Sequence, residues 1–574
     1  MTETIAAFVV KALIQAGVRR IHGLTGDSLN GIIDEVRKSD GKIEFIHYRH
    51  EEAAAFAAGA EAQLTGRLAV CCGSCGPGNL HLINGLFDAH RSQAPVLAIA
   101  AHIPSTEIGT GYFQETHPER LFQECSHYCE LIAQPAQTPR VLQAAMQHAI
   151  SLRGVAVVAL SGDVAMEAVD DTYLSHPVFY TDSVLRPAEP CIIELAHRLN
   201  GARKVAILAG AGCRDAREEV LQLCQTLQAP LVTALRGKEI LQPENPYFVG
   251  LTGLLGFPPA HHALQDAEVL LCLGTDFPYK DWYPKNAQII QVELRAERLG
   301  RRCKLDLGLA GTVKDTLQTV QPLLQPKQDN AYLRQYREAY ERFRKHNDPT
   351  VEDGQGTLIH PQFLAHTLAE AAPADTVFTA DVGTPTVWAA RNINLKLGQR
   401  LLGSLVHGSM ASAMPQAIGA ALARPDAPVV ALCGDGGFAM LMGEILTIAQ
   451  YKLPIKIVIF NNGSLGFVET EMKVAGLVPY GVELKNPDFA RLAEACGILG
   501  IRVEDKHTLQ ADVARAFAHA GPVLLDVLVN PKELSFPPEI TLKQAFGFSL
   551  YMLHETANGN PQEVWDTLKT NFLS

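Results

Sequence analysis

A carboxylate and two side-chain amides carry the clearest chemistry in this sequence. Asp435 stands in Gly434-Asp435-Gly436-Gly437, directly after the apolar run Val429 to Cys433. With 24 residues between it and Gly436, Asn461-Asn462 closes a second apolar run, Ile455 to Phe460. Two such runs read as buried strands of a parallel sheet, whose C-terminal ends share one edge where ligands bind. Asp435, Asn462 and a carbonyl of the loop just beyond, at Ser464, form a small set of hard oxygen ligands. Such a set leaves room for water and phosphate oxygens, the usual way of holding Mg2+ beside a diphosphate. The glycines at 434, 436 and 437 let backbone N–H groups come close to the phosphates.

Other candidates lie far from this clamp. Arg49-His50-Glu51-Glu52 opens an alanine-rich segment suited to a closely packed helix. The two glutamates complement a helix N-terminus, and a partly buried carboxylate there also shares a proton readily, because desolvation raises its pKa. Gly73 to Asn79 is a glycine turn after a strand, and Gly109 to Glu115 presents Phe113 and Gln114 on a loop. Either turn suits the wall of a substrate pocket or a purely structural role. Met410, in His407-Gly408-Ser409-Met410, is an apolar wedge at the start of a helix. Cys72-Gly-Ser-Cys75 has redox spacing, but it follows an apolar strand and reads as small buried thiols at a turn.

Alternating strands and helices must position these residues. Helix Ile5 to Ala16 leads to strand Arg20 to Leu24, and Leu68 to Cys72, Val96 to Ala100 and Val155 to Leu160 are further buried strands. Composition shifts between about 165 and 190 as in a linker. A second α/β unit follows, with strands Lys204 to Ala209, Leu231 to Ala234, Val269 to Leu273 and Ile289 to Leu294. Its Gly210-Ala-Gly212 lacks the third glycine of a dinucleotide fingerprint and is weak evidence alone. Residues 325–357 form a charged connector around a helix from Tyr332 to Arg344, and a third unit begins near Leu358. The expected organisation is α/β: three doubly wound parallel-sheet domains at 1–182, 183–335 and 336–531, with an amphipathic tail at 532–574.

The 574 residues exceed what one core holds. A formal charge of −12 argues against nucleic acid, and no signal peptide or membrane-spanning run is evident. The scattered cysteines fit a reducing cytoplasm. In the tail, Phe546 to Leu553 is apolar, and Val564, Trp565, Leu568 and Phe572 share one helical face. That pattern suits a docked terminal helix or an interfacial membrane helix. With Lys543 and Lys569 against Glu555, Glu563 and Asp566, attachment to lipid would rest on apolar burial.

Gly-Asp-Gly with its distant Asn-Asn, and His50-Glu-x-x-Ala-Ala, resemble the diphosphate signature and the activating-glutamate segment of thiamine-diphosphate (ThDP) enzymes. The resemblance implies that Glu51, not Glu52, hydrogen-bonds a ring nitrogen of the aminopyrimidine. Gly408, Ser409 and Met410 would then seat the pyrimidine, with Met410 holding the cofactor bent. Gly436, Gly437, Ser464, Leu465, Gly466, Phe467 and Val468 would line the rest of ThDP, with Mg2+ on Asp435, Asn462 and Ser464. Thr252-Gly253-Leu254-Leu255, Thr275-Asp276-Phe277-Pro278-Tyr279 and Glu293 resemble FAD-binding segments of flavin-containing members, so the three domains become pyrimidine-binding, central FAD-binding and diphosphate-binding.

Arg49-His-Glu-Glu, Cys75-Gly-Pro-Gly-Asn, Gly111-Tyr-Phe-Gln-Glu, Val382-Gly-Thr-Pro-Thr-Val-Trp and, most specifically, Gly547-Phe-Ser-Leu-Tyr-Met-Leu resemble the bacterial quinone-dependent pyruvate oxidases. That branch implies oxidative decarboxylation of pyruvate to acetate and CO2, with electrons passing through FAD to membrane ubiquinone. It also implies a tail that binds membrane lipid, a cytoplasmic enzyme peripheral on the inner face of the cell membrane, and a homotetramer whose ThDP lies between two subunits. Acetolactate synthases, in which FAD does no net redox chemistry, carry a tryptophan where this chain has Glu471, so Phe467 and Glu471 join Phe113 and Gln114 as substrate-side candidates. A phosphate-using, oxygen-linked pyruvate oxidase is a further alternative, against which the apolar tail speaks.

Overall fold

Among the described residues, eighteen parallel strands, six to a sheet, organise the fold, and the strand order separates the sheets into two kinds. The structure is a computed structural model that describes residues 3–169, 178–181, 183–349, 358–533, 538, 542–557 and 560–572. The expected linker and the end of the charged connector therefore lie partly outside the described residues.

The N-terminal sheet runs in the order Glu44–His47, Arg20–Gly23, Ala69–Gly73, Val96–His102, Val155–Ser161, Tyr128–Ile132. The C-terminal sheet runs Arg400–Gly403, Val377–Ala380, Val429–Gly434, Ile455–Asn461, Val523–Leu528, Leu499–Val503. Counted within each domain, both are 2-1-3-4-6-5. The central sheet runs Leu307–Ala310, Gln288–Glu293, Val269–Leu273, Val205–Ala209, Leu231–Thr233, Phe248–Leu251, the 3-2-1-4-5-6 order of dinucleotide-binding sheets read from its far edge. Inner strands such as Val155–Ser161 are buried along their whole length, which is why they read as unbroken apolar runs rather than alternating ones. Edge strands such as Glu44–His47 and Tyr128–Ile132 are shorter on apolar residues and escape a reading based on such runs.

Alanine and glycine let three helices approach backbone to backbone. Helix Glu51–Thr65 packs on helix Pro77–Arg91, where a Cβ on Gly85 would lie 2.8 Å from the Glu52 carbonyl. It also packs on helix Ala413–Ala423, where a Cβ on Gly419 would lie 2.2 Å from the Ala57 carbonyl. A single apolar core therefore runs from Ile46, Tyr48 and Ala53 of the first domain into Met414 and Ile418 of the third. An added methyl at such a contact typically costs about 1–3 kcal/mol.

Helix Ala331–Asn347, expected as part of a solvated connector, buries Tyr332, Tyr336 and Tyr340 in the central-domain core. The tail forms helices Leu542–Ala557 and Pro561–Phe572. The first is docked: a Cβ on Gly547 would lie 2.0 Å from the Val474 carbonyl, and Tyr551 is fully buried with the Lys473 ammonium 5.4 Å from its ring centre. Phe546 and Leu553 remain exposed on it and Trp565 on the second helix, and the Phe572 side chain is not among the described ones. Docking of the first tail helix is therefore observed, with single apolar side chains left exposed beside it. Among the described residues, no helix is long and apolar enough to cross a membrane.

Candidate active site

Asp435 opens a short helix, Asp435–Met440, at the C-terminal end of its strand, and is 2% exposed. Its Oδ1 accepts from Gly436 N at 2.9 Å, and its Oδ2 accepts from Gly463 N at 2.8 Å and Asn486 Nδ2 at 2.7 Å. Burial raises its pKa, and among the described residues no lysine or arginine pairs with it. A buried carboxylate held by amide donors alone suits a bound cation. Asn462 Oδ1 accepts from Ser464 N at 3.2 Å, which places the Asn462 amide and the Ser464 loop on the same turn. The two asparagines divide the work. Asn461 is turned inward, donating to Asp526 Oδ1 at 2.8 Å and accepting from Asn486 Nδ2 at 3.0 Å, while Asn462 stays at the turn.

The glycines of the clamp answer first to protein neighbours. A Cβ on Gly437 would lie 2.3 Å from Asp381 Oδ2, and one on Gly436 would lie 2.9 Å from Leu465 Cδ2 and 3.4 Å from Met410 Cε. Asp381, whose carboxyl burial pushes up to about 7, accepts from Ala413 N at 2.8 Å and Gly434 N at 3.2 Å. It therefore ties the turn after Met410 to the turn before Asp435. Gly408 at φ +89° and Ala411 at φ +60° bend the Gly408-Ser409-Met410 segment around it. Phe467, Val468 and Glu471 lie on helix Gly466–Val474, with Val468 and Glu471 exposed, and a cavity of ≈430 Å³ opens beside the clamp between Asn461, Gly463, Asn486 and Arg502.

The N-terminal half is built around Glu51, the first residue of its helix and 4% exposed. His50 caps that helix by accepting from Glu52 N at 3.2 Å. Glu51 Oε2 lies 2.9 Å from His81 Nδ1, and the Gly78 turn passes so close that a Cβ there would sit 3.0 Å from Glu51 Oε1. The His50 and His81 rings stack at 4.3 Å, and burial lowers the His50 pKa. Glu52 accepts from Asn84 Nδ2 at 2.7 Å.

Gln114 comes to the same turn through Cys75, whose Sγ donates to Gln114 Oε1 at 3.3 Å. Its loop is folded by Glu115, which accepts from Gly109 N, Gly111 N and Tyr112 N at 2.5, 2.6 and 3.1 Å. Phe113 is 77% exposed. Cys72 and Cys75 are buried, and burial pushes the Cys72 thiol up to about 12, as befits a packing residue.

In the central domain, Gly210 and Gly212 meet Gly274 loop against loop, so those glycines are required by packing. The Thr252 hydroxyl is buried with no partner among the described residues, beside Gly253 at φ +91° against the Phe277 ring. Thr275 and Glu293 are also buried at strand ends, and Asp276 is gripped by Arg302 at 2.8 Å and by Arg301. Leu254, Pro278 and Tyr279 are exposed at the same edge. An unmet buried hydroxyl and a paired acidic and basic set at this edge fit a dinucleotide such as FAD. The central and C-terminal sites adjoin: burial, then the charge of Glu471, raises the Tyr279 hydroxyl, and Leu255 and Phe467 pack against one apolar core.

Asn486, Asp381, His81 and Glu115 were not singled out by sequence. Asp381 alone carried a signal, standing at a strand end before Val-Gly-Thr; Asn486 reaches the clamp only through the fold.

Comparison with known proteins agrees with these three units. The N-terminal, central and C-terminal domain models of thiamine pyrophosphate enzymes match residues 3–121, 192–320 and 381–527. The putative thiamine pyrophosphate-containing protein YdaP of Bacillus subtilis is 36% identical over 96% of each chain. The pyruvate oxidase of Lactiplantibacillus plantarum is 30% identical over 91% of this chain and 88% of its own. The acetolactate synthase isozyme 2 large subunit of Escherichia coli is 28% identical over 93% and 96%.

Proposed function

The chain belongs to the thiamine pyrophosphate enzyme family, and on that premise we propose that it oxidises pyruvate with a quinone. Pyruvate, water and quinone would give acetate, CO2 and quinol, with both electrons passing through a flavin. Bound thiamine diphosphate would supply the electron sink for loss of CO2, and bound FAD the two-electron acceptor. Asp435, Asn462 and the Ser464 carbonyl would hold Mg2+ and the diphosphate. Glu51, 4% exposed, would hydrogen-bond the aminopyrimidine ring. Gln114, Phe113, Phe467 and Glu471 enclose the 2-keto acid.

One contact carries the quinone reading: the tail helix Leu542–Ala557 is docked on helix Gly466–Val474, which bears Phe467 and Glu471. The segment with exposed apolar groups that suit a lipid surface thus touches the segment that surrounds substrate. Release of the tail when the flavin is reduced would bring the enzyme to ubiquinone on the inner face of the membrane. The Glu51 carboxylate meets His81 and the Gly78 turn, and the Asp435 carboxylate meets Gly436, Gly463 and Asn486, each within its own domain. A site completed between two copies of the chain, in a homotetramer, is part of this proposal.

Anaerobic mixing with pyruvate, followed by flavin absorbance, tests the reaction. Bleaching that a quinone reverses is expected. Acetolactate formed without bleaching would replace the proposal with the carboligation named for the Escherichia coli relative.

A further inference from the structure

Lys238 and Arg391 are two cations that none of the roles above employs, and both act on one helix. Lys238 is 1% exposed, and its ammonium donates to the Ala389, Ala390 and Ile393 carbonyls at 2.8, 2.8 and 2.6 Å. It thereby anchors the C-terminus of helix Thr384–Asn392 to the central domain, with the charge sign that end favours. Arg391, on the last turn, donates to the Leu255 and Gly256 carbonyls at 3.3 Å each. Those carbonyls belong to the flavin turn, whose Thr252 hydroxyl is buried without a partner among the described residues. Leu255 packs against the cores of both domains, and Ala390 of the helix is buried in the central core.

The opposite end of this helix abuts the clamp. A Cβ on Gly466 would lie 3.4 Å from Thr384 Cγ2 and 2.6 Å from Asn462 Nδ2. Thr386 Oγ1 donates to the Asp381 carbonyl at 2.6 Å, so the first turn is fixed to the residue that joins the Met410 and Asp435 turns. One helix, about 14 Å long at 1.5 Å per residue, therefore reaches from the flavin turn to the metal–diphosphate turn.

We propose that helix Thr384–Asn392 couples the two cofactor sites, with Arg391 as the positioning residue. A dinucleotide that satisfies Thr252 settles the 252–256 turn. The settled turn fixes Arg391, Arg391 fixes the helix along its axis, and the Thr384 end is held against Asn462 and Gly466. The cost of ordering this path is met by whichever cofactor binds first, so the second binds more tightly, and linkage makes the gain reciprocal. The inference rests on the flavin reading of the central domain.

Calorimetric titration of cofactor-depleted full-length protein with ThDP and Mg2+, with and without saturating FAD, tests it. FAD is expected to tighten ThDP binding about 5- to 150-fold in the wild type. In Arg391→Met that ratio falls to about one, while each cofactor alone binds within about threefold of wild type. Arg391→Lys, which keeps the charge and gives up the two-pronged grip, has an intermediate ratio and serves if the methionine variant does not fold. FAD that binds the wild type yet leaves ThDP affinity unchanged, or a full ratio retained in either variant, overturns the coupling and leaves the flavin reading standing. Failure of the wild type to bind FAD overturns both.

Discussion

The N-terminal and C-terminal sheets follow one strand order, yet they present their carboxylates differently. Asp435 is held from both oxygens by amide donors that do not titrate, so its direction is fixed and its negative charge is left for a cation. Glu51 instead lies against the His81 imidazole, with the His50 ring stacked beyond. In the proposed function, the same scaffold therefore yields a half that holds charge and a half that handles a proton. What differs is the neighbour supplied by the following loop or helix: Asn486 in one case, His81 in the other.

The comparison breaks most sharply at Glu51. Glu51→Gln should lower turnover of pyruvate by about 10²- to 10⁴-fold while leaving Mg2+ affinity of the protein unchanged; a variant with wild-type turnover would remove Glu51 from the chemistry. On the other half, Asn486→Ala removes one of the two donors to Asp435 Oδ2 and leaves Gly463 N as the other. Loss of such an orienting partner should weaken Mg2+ about 10- to 100-fold, read by Mn2+ binding in an electron-spin titration, with saturated turnover less affected than in the Glu51 variant.

A smaller effect concerns the seam between the halves. Asp88 accepts from Gln416 Nε2 of the C-terminal domain at 3.0 Å, and burial pushes its carboxyl up to about 6 from an ordinary 3.8. A raised pKa means that the folded state holds the proton more tightly. Its stabilising contribution is therefore complete below about pH 4 and is lost as pH rises through about 6. Asp88→Asn should flatten the stability profile across that window. Urea midpoints measured from pH 4 to 7 with the same slope in both proteins would show that Asp88 does not titrate there.

The clamp was legible in the sequence because its ligands end apolar strands, and strand ends in parallel sheets converge by topology alone. Glu51 was legible as a carboxylate opening an alanine helix, and resemblance supplied its role. Asn486, His81 and Glu115 were not, since each acts across a fold-made contact with no fixed spacing to the residue it serves. Gly437 shows the reverse case: its motif was plain, but the close neighbour that requires glycine is Asp381, 56 residues earlier in the chain. The central sheet's binding order was likewise hidden, because Phe248–Leu251 and Leu307–Ala310 are short edge strands without a sharp apolar run.

Mixing two inactive variants tests most directly the claim that the charge-holding and proton-handling halves meet across two copies. Glu51→Gln and Asp435→Asn chains, purified separately, unfolded and refolded together, would form hybrids in which one site has both defects and the other has neither. About a quarter of wild-type turnover should return for statistical pairing in a two-fold dimer. If each chain instead completes its own site, no mixture will regain activity, and the shared-site account is contradicted.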